Sequence, residues 1–188
     1  YYHKKIIDVK GCNEALSLIN ETINKIEQIK ERNQDKYIKI GIIGDIYTII
    51  EPFANLEIEK KLGYMGVEVF ISHTPSEWVN NVIGFRERIG IRGAGKKHRV
   101  AKPYLSSLVG GYARQSIGSA VMYGKEKYDG IIQIYPLNCM PEIVVESILP
   151  AIQKDYKIPV LTLIVDEMTG EAGYLTRVEA FVDLLKKR

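Results

Sequence analysis

Cysteine is scarce in this 188-residue chain: there are two, Cys12 and Cys139, far apart and in neither a CxxC nor a Cys/His ligand spacing. That excludes a disulfide-stapled secreted scaffold. Two thiols also cannot by themselves build a four-ligand zinc or iron–sulfur site, so any cluster needs ligands from elsewhere. An excess of one charge is lacking as well. The 26 Lys plus Arg against 23 Asp plus Glu leave a net charge of +3, too little to draw the chain to nucleic acid. No apolar run approaches the roughly 20 residues that a bilayer crossing needs. The start, Tyr1-Tyr2-His3-Lys4-Lys5, has no apolar stretch of a secretory signal behind it. These absences point to a cytoplasmic protein with neither a membrane nor a nucleic acid as partner. The first residue is Tyr rather than Met, which reads as a processed or cut piece of something longer. What is present, 46% hydrophobic and 26% charged residues, suits one ordinary globular domain with a substantial core.

Along the chain, the period of the apolar residues changes from helical to strand-like and back. Leu16, Ile19, Ile23, Ile26 and Ile29 recur at intervals of three and four, predicting an amphipathic leading helix with Asn13 as its N-cap within residues 1–35. From 36 to 188 the pattern alternates. Residues 37–44, 67–71, 130–135 and 160–165 are β-branched runs bounded by Gly or Pro and predict four strands. Between and after them, 52–63, 77–88, 103–123, 142–152 and 173–186 predict helices. Gly110-Gly111 is a weak point, and 90–97 reads as a glycine- and lysine-rich loop. This alternation defines the expected class: a three-layer α/β domain of Rossmann or flavodoxin-like type, its mostly parallel sheet of about four strands covered by helices.

In such a sheet, ligands bind beyond the carboxyl ends of the strands, and polar residues follow every predicted strand. Asp45 and Tyr47 follow the first, His73 the second, Asn138, Cys139 and Glu142 the third, and Asp166 and Glu167 the fourth. Cys139 stands just before Pro141, a helix-opening residue, so its thiol is expected near a helix N-terminus that favours thiolate. The opposing reading is a small cysteine packed in a loop. A nucleophilic Cys139 with His73 as base is a further reading, though no third orienting group is identifiable. Asp166 and Glu167 read either as a solvated acidic loop or as neighbours that point different ways, one to the crevice and one to the following turn. Asp45 either faces the crevice or satisfies local backbone N–H groups. The basic stretch Arg86 to Arg99 reads either as an anion site or as a solvated loop. It contains no phosphate-loop or dinucleotide motif. The lone tryptophan, Trp78, reads as a packing residue.

The block from Asn138 through Val144 (Asn-Cys-Met-Pro-Glu-Ile-Val) is joined by Ser147-Ile148-Leu149-Pro150, Ile158-Pro159-Val160-Leu161, Asp166-Glu167, Gly170-Glu171-Ala172-Gly173 and Thr176 through Phe181. Together they resemble the family related to the 2-hydroxyacyl-CoA dehydratase component and the activase-associated CoA-substrate enzymes. Gly41 through Tyr47 matches too, with Asp45 where the family more often has Glu. The resemblance runs from about Ile38 to the C-terminus. It implies an oxygen-sensitive iron–sulfur protein with a [4Fe–4S] or double-cubane cluster between two α/β domains. It further implies reduction by an ATP-hydrolysing activator protein, with a homodimer left open. Cys139 then corresponds to the C-terminal cluster cysteine and Cys12 to none. The other ligands would belong to an N-terminal half of the same protein, and this piece alone would carry no cluster. The rival reading is a non-catalytic binding or assembly domain for a small anion or a partner protein.

Overall fold

The computed structural model describes residues 5–29, 37–74 and 95–188. Two compact units divide it, Tyr1–Lys36 and Tyr37–Arg188. In the first, a 3-10 turn (Ile6–Asp8) precedes helix α1 (Cys12–Glu27). Gly11, not Asn13, occupies the N-cap, and Glu14 accepts from the Lys10 N–H (2.7 Å). The stripe Leu16, Ile19, Ile23 and Ile26 is exposed along its whole length.

The second unit is a three-layer α/β fold. Among the described residues its four strands, β1 (Ile38–Gly44), β2 (Val67–Ile71), β3 (Gly130–Pro136) and β4 (Val160–Val165), are all parallel in the order β2-β1-β3-β4. Both faces are covered, which is why these strands are continuous apolar runs rather than alternating ones. Successive residues serve opposite cores. Ile40, Ile42, Ile132 and Ile134 join residues of α2 (Ile46–Ile50), α3 (Ile58–Tyr64) and α7 (Glu171–Lys186). Ile43 and Ile131 join residues of α4 (Gly95–Ala101), α5 (Ala113–Lys125) and α6 (Met140–Tyr156) on the other face.

The helices depart from the sequence expectation in specific ways. The helix expected over 52–63 is shortened to α3 at its C-terminal end, and a separate short helix, α2, precedes the range. The Asp45 carboxylate accepts from the Tyr47 and Thr48 N–H groups (3.1 and 3.3 Å), which starts α2 directly after β1. Pro52 then forces Glu51 out of helical geometry (ψ 110°) and ends it. Leu56 and Glu57 have φ of +55° and +54°, so α3 begins only at Ile58. Buried Asn55 ties the pieces together, donating to the Thr48 and Ile49 carbonyls (3.0 and 3.2 Å) and accepting from the Ile58 N–H (3.3 Å). The helix expected from Pro103 starts at Ala113, after Gly110 and Gly111 at positive φ. Residues 95–97, expected in a loop, open α4. The expected helix over 77–88, Trp78, and Arg86, Arg88 and Arg92 of the basic stretch lie outside the described residues. Among the described residues no helix is long and apolar enough to cross a membrane.

Candidate functional site

The strand order reverses between β1 and β3, since β2 lies to one side of β1 and β4 to the far side of β3. The crevice of an open parallel sheet opens at such a point, beyond the carboxyl ends. Gly44 ends β1 there with φ +140°, and a Cβ on it would stand 1.8 Å from the Ile134 carbonyl oxygen. Only glycine lets the two backbones meet this closely, and the Asp45 N–H then donates to that same carbonyl (3.1 Å). On the β3 side the chain turns sharply through Asn138 (φ +71°), and the Cys139 N–H bonds back to the Pro136 carbonyl (3.0 Å). Cys139 is thereby the N-cap of α6, with Pro141 in the first turn.

The Cys139 side chain is half-buried and accepts no hydrogen bond from the start of the helix; the Glu142 N–H donates to the Cys139 backbone carbonyl instead (3.1 Å). The helix terminus alone would favour thiolate. The net effect is the reverse: burial pushes the thiol above its usual range, and Asp45 and Glu142 add to the rise. Desolvation and two neighbouring carboxylates outweigh the lowering influence of the Glu142 backbone. Unligated Cys139 is therefore held as a neutral thiol at pH 7, poorly suited to nucleophilic attack.

Glu142 is almost wholly buried. Its carboxylate accepts from Ser116 Oγ on α5 (2.8 Å) and from Gln133 Nε2 in the middle of β3 (3.0 Å). Gln133 Nε2 also donates to the Glu142 carbonyl (3.0 Å), and its Oε1 accepts from Thr162 Oγ1 on β4 (3.2 Å). A polar chain thus crosses the layer from β4 to α5 and fixes the start of α6. Burial raises the Glu142 carboxyl above its ordinary value despite these two donors, with Asp45 contributing. Sequence reading passed over Ser116, Gln133 and Thr162, although a glutamine inside Ile-Ile-Gln-Ile is a signal of buried polar bonding.

Tyr47, Asp166 and Glu167 lie together, lining a cleft of about 410 Å³ with Thr48, Pro136 and Val165. Both acidic residues are exposed and contribute to the lining of this cleft. They lie beyond the end of β4, so strand alternation does not govern them. Asp166 also closes the turn, accepting from the Met168 N–H and Thr169 Oγ1 (both 2.9 Å). Asp45 is spent on capping α2, the local role weighed against a crevice role. Asn138 is exposed and makes the turn.

His73 sits elsewhere. It is 3% exposed at the end of β2, its ring centroid 5.0 Å from that of Tyr112, the N-cap of α5. Burial, with help from the Lys97 ammonium, drives its pKa down to about 3. The imidazole is neutral, and among the described residues nothing pairs it with Cys139. Lys97 belongs to the basic stretch read from the sequence as either an anion site or a solvated loop, whereas Tyr112 was missed because its contact with His73 joins two separate elements.

Among the described residues no group of three or more His, Cys, Asp or Glu is placed to hold a metal ion. Cys139 fits the part of one cluster ligand in that its thiol is free and only half-buried, at the N-terminus of a long helix. Comparison with family models, curated proteins and solved structures found no match to this chain. Fold and crevice define the class, a Rossmann-like α/β domain with its polar groups gathered at the carboxyl edge of the sheet.

Proposed function

We infer that this domain is the C-terminal part of an iron–sulfur dehydratase-like or ATP-dependent reductase-like protein, in which Cys139 supplies one thiolate to a cluster. The observation that carries the inference is the placement of Cys139: a half-buried cysteine beside the strand-order reversal, in the N-cap position of a 17-residue helix. Burial, with Asp45 and Glu142, keeps the unligated sulfur protonated, which argues against a nucleophile, while the N-terminus of α6 would ease the negative charge of a bound cluster. A single thiolate leaves the remaining iron ligands to polypeptide beyond this domain, the N-terminal half of the same protein in this reading. An ATP-hydrolysing activator protein would be the electron donor. The bound cluster would supply one-electron transfer. This chain's own residues would hold one ligand, orient it through the β3–α6 turn, and shape the cleft of Tyr47, Asp166 and Glu167 at the same edge of the sheet.

The test is anaerobic reconstitution of the full-length protein beside its Cys139→Ala variant. The variant is expected to lose iron and visible absorption. Unchanged iron content and spectrum would remove Cys139 from the cluster and leave the reading without its anchor. Colourless, iron-free wild-type protein that still binds a partner would favour a binding or assembly domain instead.

A further inference from the structure

We propose that the start of α5 is a binding site for a small oxyanion, a phosphate or carboxylate group, held between α5, the end of β2 and α4. The first-turn N–H groups of a helix have no partners within the helix, and Tyr112 caps none of them with its side chain. The chain enters α5 through Gly110 (φ +92°) and Gly111 (φ +49°). At Gly111 a Cβ would come within 2.9 Å of Pro141 Cγ, so this turn lies against the start of α6 at the same edge as Cys139. Such an N-terminus is a feature of many helices and means nothing alone.

Its surroundings are the independent observation. Arg114, in the first turn of α5, has its Nε shut off from solvent with no hydrogen-bond partner, and no carboxylate pairs with it among the described residues. His73 is buried against the N-cap residue Tyr112, and its Nε2 also has no partner among the described residues. Ser72 Oγ, next to it and equally buried, is a third such atom. Lys97 brings a further positive charge to the same strand end by donating to the Ser72 carbonyl (2.6 Å). Buried polar groups without partners are costly, and a guanidinium nitrogen is among the costliest. One oxyanion offers acceptors to the guanidinium, an imidazole N–H, a hydroxyl and the helix N–H groups together. A metal cation is disfavoured by Arg114 and Lys97. The nearby carboxylate of Glu142 is occupied by Ser116 and Gln133. The site is independent of the cluster reading and distinct from the acid-lined cleft.

The chain is titrated with inorganic phosphate, acetate and chloride at matched ionic strength, followed by NMR of the backbone amides and histidine rings. Saturable shifts confined to residues 110–115 and the His73 ring are expected with at least one oxyanion and not with chloride. Saturation by phosphate alone assigns a phosphate-bearing ligand, and saturation by acetate assigns a carboxylate. Arg114→Gln is expected to weaken binding about tenfold, the loss of roughly one charge-assisted hydrogen bond, and Arg114→Lys less. His73→Gln is the second variant should the first not fold, and it too should bind more weakly. No saturable shift, shifts spread over Lys96 and Arg99, or unchanged affinity in the folded variants would overturn the proposal.

Discussion

Replacing Glu142 by Gln in the metal-free chain should stabilise it at neutral and basic pH. The residue is buried, and its carboxylate has two donors, Ser116 Oγ and Gln133 Nε2, and no cation beside it among the described residues. A glutamine of the same shape can keep both contacts. Its oxygen accepts from Gln133, and its amide donates to Ser116, whose hydroxyl turns from donor to acceptor. No bond is lost and a buried charge is removed, a change worth about 1–2 kcal/mol. For a domain of this size that is about 2–4 °C in Tm per kcal/mol. The sign of the pH dependence follows from the raised carboxyl. The folded chain holds its proton above the unfolded value of 4.5, so wild-type stability falls as pH rises from there. The non-titrating variant has no such loss. Urea unfolding should therefore show near-equal stability at about pH 4.5 and a gap favouring the variant that opens toward about pH 8. Glu142→Ala should instead lose about 2–4 kcal/mol throughout, through a cavity and an unpaired Ser116. A Gln variant that is less stable by about 2 kcal/mol at every pH would show that the carboxylate itself is needed, and the reasoning would fail.

Gly44→Ala places a methyl group on the Ile134 carbonyl at a φ of +140° and should cost more than about 4 kcal/mol, seen as loss of a cooperative thermal transition. His73, ordinarily near 6.5 and held to about 3 by burial and then Lys97, binds fewer protons folded than unfolded. Stability should fall as pH drops from 6.5, by up to about 3 kcal/mol near pH 4, and His73→Gln should flatten that limb in acid-unfolding curves. Alkylation followed by mass spectrometry should label Cys139 more slowly than exposed Cys12 at neutral pH. The difference should narrow as pH rises, and Asp45→Asn, which can still cap α2, should speed Cys139. Faster labelling of Cys139 would revive the cysteine-nucleophile reading.

Strands were legible because each is a β-branched run bounded by Gly or Pro. The bounds of β2 and β4 follow directly from Val67–Ile71 and Val160–Val165. Parallel order then carries Asp45, His73, Asn138, Cys139, Asp166 and Glu167 to one edge without further information. What each does there was not legible. Capping of α2 by Asp45, and its end at Pro52, depend on backbone angles that periodicity does not report. The high thiol of Cys139 reflects neighbours that only folding assembles, one of them 94 positions earlier in sequence. Ser116, Gln133 and Glu142 form one buried chain from three elements, and no local pattern links them. The same holds for His73, Lys97 and Arg114 at the start of α5.

The most direct measurement is the electron paramagnetic resonance spectrum of the reduced, reconstituted full-length protein compared with its Cys139→Ser variant. A serine oxygen in place of the thiolate should shift the g-values while iron content stays near that of the wild type or falls. Identical spectra at full iron occupancy would show that the iron is held without the sulfur at the head of α6.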